Sequence, residues 1–276
     1  MQTRNFTTVL FSWLLTCVLF TIGNINAEPT FSVTENITYN NAVQTLDIFV
    51  PENQRKTTAL MFIHGGGFDQ GSKADMHEHA KYYAKLGFIS TSINYRLSLS
   101  NPYPTAINDV TDAVNWLKKH ASSNQYNVNK IILIGYSVGG TLALNVGLKQ
   151  ENDIAAIIDV AGITDINRLI QNGHIPQLKE QMRVYLDGED SISASPISQI
   201  SAEVPPTLVL HGKEDGLIPI WQSIMFVEAM KKQGAPVTFD VIYNAGHEIM
   251  LTDNYYYPKL LVSMTDFISR IETTNH

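Results

Sequence analysis

The stretch KIILIGYSVGGTLAL, Lys130–Leu144, decides how the rest of the chain is read. Ile131, Ile132, Leu133 and Ile134 form a short run of β-branched and leucine side chains, the mark of a strand buried on both faces. From Val138 onward the small and apolar residues suit a helix. Between the two lies Gly135-Tyr136-Ser137-Val138-Gly139, backed by Gly140. Serine and glycine are common, so the five-residue pattern alone is a modest signal. A strand that runs straight into a helix through it is a nucleophile elbow, with the serine held in a strained conformation and its hydroxyl exposed at the top of a sheet. Helix starts also present unpaired N–H groups and a positive dipole end to an anion. Ser137 is therefore the expected nucleophile.

Outward from this stretch, short apolar runs alternate with helical segments. Thr30–Tyr39 and Val43–Val50 read as two strands joined through Asn40-Asn41, too tightly for a parallel crossover and so antiparallel. Thr58–Ile63 is a strand that stops at His64-Gly65-Gly66-Gly67. Helical composition follows over Ala74–Leu86, with Gly87 as C-cap, then a strand over Phe88–Asn94. In Pro104–Ser122 the residues Ala106, Val110, Ala113, Val114 and Leu117 recur at helical spacing. Beyond the serine the pattern gives strands at Ala155–Val160, Leu208–Leu210 and Val237–Tyr243, and helices at Pro219–Lys232 and Tyr255–Ile271. Such alternation predicts an α/β fold, a mostly parallel central sheet with an antiparallel start and helices on both faces. Only residues 163–201 break the rhythm. Two short helices, near Asp165–Gln171 and Pro176–Tyr185, make this segment a small cap above the C-terminal edge of the sheet, where such sheets bind ligands; the plainer alternative is a long connection.

A serine needs a base to remove its proton, and in this type of sheet the partners follow in the order Ser, then Asp or Glu, then His. His247, late in the chain and directly after a strand, fits the base. Asp215 in His211-Gly212-Lys213-Glu214-Asp215 fits the acid, with Glu214 as its alternative. His211 is assigned to packing or loop support and His174 to a solvated surface. The oxyanion that forms on attack needs preorganised N–H donors. The N–H of Val138 is one, and consecutive glycines after the Thr58–Ile63 strand make Gly66 and Gly67 the others. Glycine-loop phosphate motifs are absent from the sequence. His77 and His79 are two apart on a helix and point apart, which argues against a metal site. No cofactor is expected.

Net charge is −7, which offers nothing to a nucleic acid. Arg4, the apolar stretch Val9–Ile22 and the small residue of Ile25-Asn26-Ala27 read as a secretory signal peptide over residues 1–27, leaving a single domain over 28–276. An uncleaved anchor is the alternative. The single cysteine, Cys17, lies inside that stretch, so a processed chain would hold no thiol. Secretion or a periplasmic location follows, with no stable membrane insertion once the signal is removed.

His64-Gly65-Gly66-Gly67-Phe68, Asn94-Tyr95-Arg96-Leu97, Gly135-Tyr136-Ser137-Val138-Gly139-Gly140, Ser195-Pro196, His211-Gly212-Lys213-Glu214-Asp215 and Gly246-His247 fall in the order found in α/β-hydrolase esterases. Over residues 40 to 270 the chain resembles the hormone-sensitive-lipase-like and bimodular feruloyl-esterase-like carboxylesterases. The resemblance implies the α/β-hydrolase fold and hydrolysis of small or carbohydrate-linked carboxylic esters through an acyl-enzyme. It implies Ser137, Asp215 and His247 as triad and Gly66, Gly67 and Val138 as oxyanion donors. Those families usually carry an acidic residue at Tyr136 and alanine at Val138. Arg96 and Asp109 are expected to brace loops below the site. Two readings compete: an amide-cleaving relative (peptidase or formamidase), and a catalytically silent binding protein on a hydrolase scaffold. Oligomeric state and acyl preference are not legible.

Overall fold

The structure, a computed structural model, describes residues 30–40, 44–54, 56–121, 123, 128–149 and 153–274. The signal-peptide reading, Asn41 of the first turn and His276 lie outside these residues. Eight strands form one sheet: β1 (Phe31–Asn40), β2 (Gln44–Pro51), β3 (Thr58–Ile63), β4 (Ile89–Ile93), β5 (Lys130–Tyr136), β6 (Ala156–Val160), β7 (Thr207–Gly212) and β8 (Val237–Ile242). Their spatial order is β1-β2-β4-β3-β5-β6-β7-β8. The β1–β2 and β2–β4 pairs are antiparallel, and every later pair is parallel. This is the mostly parallel sheet with an antiparallel start that the alternation of elements predicts.

Among the described residues seven α-helices pack on the faces of the sheet or at its edge: α1 (His77–Lys85), α2 (Thr105–Ala121), α3 (Val138–Gly147), α4 (Ile166–Asn172), α5 (Pro176–Leu186), α6 (Trp221–Lys232) and α7 (Tyr257–Thr273). Strands β3, β6 and β7 are buried along their whole length, as strands of a parallel sheet covered on both faces are. Alternate side chains divide between two cores. Met61, Ile63 and Leu133 meet Val110 of α2, Leu142 of α3 and Phe226 of α6. On the opposite face Leu60, Phe62 and Ile134 meet Tyr83 of α1 with Leu260 and Phe267 of α7. Each such side chain taken fully out of water contributes roughly 1.5–3 kcal/mol before entropy is counted.

Four helix starts differ from expectation: α6 and α7 begin at Trp221 and Tyr257, each two residues later than Pro219 and Tyr255. The expected helix at 74–86 opens with a 3-10 turn, Lys73–Met76, before α1 begins. Pro104 stands one residue ahead of α2; its carbonyl accepts the first helical bond, from Asn108 N at 3.0 Å, so it caps the helix from outside. Gly87 adopts a φ of 92°, which an L side chain rarely tolerates, and ends α1 as expected.

Residues 163–201 hold α4, α5 and a 3-10 turn at Pro196–Gln199. Asp165 caps α4 by accepting from Arg168 N at 2.8 Å. The segment touches loops on both sides of the sheet's C-terminal edge. Tyr185 stacks on Phe68 with ring centroids 3.7 Å apart, Gln181 Nε2 donates to Asp69 Oδ2 at 3.0 Å, and His174 Nε2 lies 3.1 Å from the Gly216 carbonyl.

Sheet register places the site. Ile63 pairs with Gly135, so the loop leaving β3 starts beside the loop leaving β5. Gly212 pairs with Ile242, so the loops leaving β7 and β8 also start together.

Candidate active site

Ser137 joins β5 to α3 with φ 56° and ψ −128°, a conformation that costs a non-glycine residue about 1–3 kcal/mol. The turn needs strand and helix backbones in near contact. A Cβ on Gly135 would lie 2.0 Å from the Gly139 carbonyl oxygen, and one on Gly139 would lie 2.2 Å from the Ile63 carbonyl oxygen. The spacing of glycines around Ser137 is thus steric in origin. α3 begins at Val138, so the Val138 N–H is a first-turn donor with no carbonyl behind it in the helix.

His247 opens a 3-10 turn after β8, and Asp215 follows β7. His247 Nε2 is 3.1 Å from Ser137 Oγ, and His247 Nδ1 donates to Asp215 Oδ2 at 2.7 Å. All three residues are buried, at 6–8 % exposure, so their bonds form largely out of water. The other oxygen of the carboxylate, Oδ1, accepts from Leu217 N at 2.9 Å and Ile218 N at 2.8 Å. Burial by itself would raise this carboxyl. The hydrogen bonds and charge of His211 and His247 outweigh burial and hold it well below the usual carboxylate range. Glu214, the alternative acid, is exposed.

Sequence reasoning placed His211 in loop support and missed its partner. Its Nε2 lies 3.2 Å from Asp215 Oδ2 and 2.9 Å from the Ile218 carbonyl, and its Nδ1 lies 2.7 Å from Ser223 Oγ. Since both neighbours of Nε2 are acceptors, that nitrogen carries the proton. Asp215 therefore receives bonds from two imidazoles. His174 is exposed, as expected, and reaches only the Gly216 carbonyl.

The loop after β3 brings Gly66 and Gly67 to the same edge. Their φ values of 109° and 65° are the region that glycine favours, and the Gly66 carbonyl closes the turn by accepting from Asp69 N and Gln70 N at 3.1 and 3.0 Å. Gly65 lies against Ser137, since a Cβ there would come within 3.1 Å of Ser137 Cβ. Tyr95 OH supports this loop from below through the His64 carbonyl at 3.0 Å, and the Tyr95 ring stacks on His64. Arg96 and buried Asp109 form a bidentate pair at 2.6–3.1 Å, which fixes the following loop to α2, as expected.

A cavity of about 300 Å³ opens beside the elbow, lined in part by Gly65, Gly66, Tyr136, Met250 and Leu251. Ser137, Asp215 and His247 are not among its lining residues, but Gly65, Gly66 and Tyr136 are their neighbours; larger hollows on the outer side of α5 and at the opposite edge of the sheet, near Lys130 and Pro206, lack these neighbours. His77 and His79 turn to different partners, Asp47 and Tyr257 OH, both at 2.7 Å. Among the described residues no cluster of His, Cys, Asp and Glu is arranged to hold a metal ion.

An eight-stranded sheet in this order, with a strained serine turn after its fifth strand, defines the chain as an α/β-hydrolase fold. Residues 46–230 match the BD-FAE family, and the chain belongs to it. Among curated proteins it is similar to the probable carboxylic ester hydrolase LipM of Mycobacterium tuberculosis, 29 % identical over 247 residues, covering 80 % of this chain and 56 % of LipM. It is also similar to the kynurenine formamidase of Meyerozyma guilliermondii, 26 % identical over 227 residues, covering 76 % of this chain and 84 % of that enzyme. The chain spans little more than half the length of the mycobacterial relatives it matches, LipM and the esterases LipQ and LipC. Its fold is that of esterase 2 of Thermogutta terrifontis, solved phosphonylated by sarin, with a TM-score of 0.77 at 24 % identity over 92 % of this chain and all of that one.

Proposed function

We propose that this chain is a serine hydrolase that cleaves carboxylic esters through an acyl-enzyme. The observation that carries the reading is the unbroken line from Asp215 through His247 to Ser137, at 2.7 and 3.1 Å, ending on a serine in a strained turn. His247 takes the Ser137 proton as Oγ attacks the ester carbonyl, and the N–H groups of Gly66, Gly67 and Val138 receive the oxyanion. The tetrahedral intermediate collapses, His247 returns the proton to the leaving alcohol, and the acyl group stays on Ser137. Water, deprotonated by His247, then attacks the acyl carbonyl and releases the acid. Asp215 orients the imidazole and stabilises its charged form throughout.

The cavity beside Tyr136 is at the small end for ligand sites, which favours a short acyl or alkoxy group, including one on a carbohydrate. Residues 163–201 serve as a small cap over this edge. Arg4 and the Val9–Ile22 stretch support export by a signal peptide cleaved after Ala27. Among the described residues no helix is long and apolar enough to cross a membrane.

Ser137→Ala should abolish turnover of a small activated ester while leaving the fold intact. Hydrolysis by this variant at the wild-type rate would refute the assignment. The similarity to a formamidase favours a second reading, amide cleavage by the same groups. Initial rates on an ester and an amide of the same acid separate the two.

A further inference from the structure

The base has to stay within bonding distance of two partners that follow different strands, β5 and β7. Its loop is tied firmly on the acid's side. Glu214 N donates to the Ala245 carbonyl at 2.9 Å and Lys213 N to the Ile242 carbonyl at 3.0 Å. A Cβ on Gly212 would lie 2.3 Å from the Gly246 carbonyl oxygen, so the two loops run in close contact. On the nucleophile's side a hydrogen bond from a neighbouring side chain ties it as well. Tyr136, the last residue of β5 and the neighbour of Ser137, donates its hydroxyl to the His247 backbone carbonyl at 3.0 Å. Its ring also lies along the His247 imidazole, with centroids 5.2 Å apart and planes 30° apart. The same ring rests against the oxyanion loop, since a Cβ on Gly65 would come within 3.3 Å of Tyr136 Cδ1.

We infer that Tyr136 is a positioning residue for His247, joining the backbone that bears the nucleophile to the residue that bears the base. The role rests on the reading of Ser137 and His247 given above. The hydroxyl fixes the base's main chain, and the ring limits the tilt of the imidazole. When the imidazole gains a proton during attack, the face of the phenol ring lies within the range at which aromatic rings attract cations. Burial, then the Glu248 and Asp215 carboxylates, push the phenol well above its ordinary range, so it stays a donor wherever the enzyme works. Because the ring also walls the cavity of about 300 Å³, hydroxyl and ring have separable effects.

The test compares wild type with Tyr136→Phe and Tyr136→Leu, using steady-state kinetics on an activated acetyl ester and the rate at which a fluorophosphonate labels Ser137. Tyr136→Phe keeps the wall and loses the tether, so kcat should fall about fivefold to tenfold while KM changes by less than about twofold. The labelling rate should fall by the same factor, with the melting temperature close to wild type. Tyr136→Leu should lower kcat further and alter KM as well. Labelling rates are normalised to the folded fraction, so partial unfolding does not obscure the result. Wild-type kcat and labelling in Tyr136→Phe, or a change confined to KM, would overturn the inference. A wild-type Ser137 that takes no label would overturn the underlying reading instead.

Discussion

Replacing Gly139 with alanine tests whether the elbow is held together by backbone contact. The new Cβ would stand 2.2 Å from the Ile63 carbonyl oxygen and 2.4 Å from that of His64, well inside the 3.0 Å that real Cβ atoms respect. Both clashing atoms are main chain, so no side chain can rotate away. Relief needs α3 and the end of β3 to separate by about 0.8 Å, against a helix whose every residue is buried. An overpacked site of this kind costs about 3 kcal/mol, the upper end of the usual range. For a domain of this size that lowers the melting midpoint by roughly 6–12 °C. The shift also moves Ser137 and the Val138 N–H relative to Gly66 and Gly67. Misplacement approaching an ångström costs on the order of 10²-fold in rate. Calorimetric melting and initial rates on a small activated ester read the two effects separately. A variant that melts with wild type and turns over at the wild-type rate would refute the argument.

Two further outcomes concern buried charge. Asp159, next to the last residue of β6, is fully buried, and neither carboxylate oxygen has a partner in bonding geometry among the described residues. Burial pushes it up to about 7, with the charge of His211 and the nearby Gly162 N–H moderating the rise. Folded chain then holds a proton that unfolded chain gives up near pH 4, so this residue erodes stability as pH rises from about 4 to about 7. Asp159→Asn should therefore raise the melting temperature at pH 8 by more than at pH 4.5, worth up to about 4 kcal/mol; an equal change at both would contradict the account. Asp47, fully buried in β2, binds Lys73 Nζ and His77 Nε2. Asp47→Asn leaves the buried Lys73 ammonium without its counter-charge and should cost about 3–5 kcal/mol in denaturant melts. Burial would raise the Asp47 carboxyl, but its bonds to Lys73, Asn36 N and His77 hold it below its ordinary value. Its contribution is thus complete above about pH 4 and lost as pH falls through the lowered value, so wild type should destabilise more steeply in acid than the variant.

Much of the fold could be read from the sequence because short strand-like segments, β-branched and apolar at most positions, alternate with longer segments of helical spacing. Ser137, Asp215 and His247 were legible for a related reason: each follows one of the strands β5, β7 and β8, and the parallel sheet brings the ends of those strands to one edge. The placement of Gly66 and Gly67 at that edge, where we propose that they receive the oxyanion, followed from the same geometry. What stayed hidden depends on contacts between distant elements. Nothing in His211-Gly212 reveals that its imidazole shares Asp215 with the base, because Ser223 and Ile218 complete that arrangement only in space. Nothing before Ser137 reveals that the Tyr136 hydroxyl reaches a carbonyl 111 positions away. His77-Glu78-His79 was read correctly as splayed, yet its partners, Asp47 and Tyr257, lie on elements that periodicity cannot orient. A carboxylate in the strand-like run Ala155–Val160 gave no warning that it would be sealed in without a partner.

The dihedral angles at residue 137 have a consequence for how this chain could drift. That site would be more comfortable as glycine, a substitution that relaxes the turn while deleting the oxygen we propose as the attacking atom. A screen that rewards heat tolerance and ignores turnover should accept Ser137→Gly readily, trading chemistry for robustness at a single codon. Only continued demand for the reaction keeps a hydroxyl in a place the backbone would sooner leave bare.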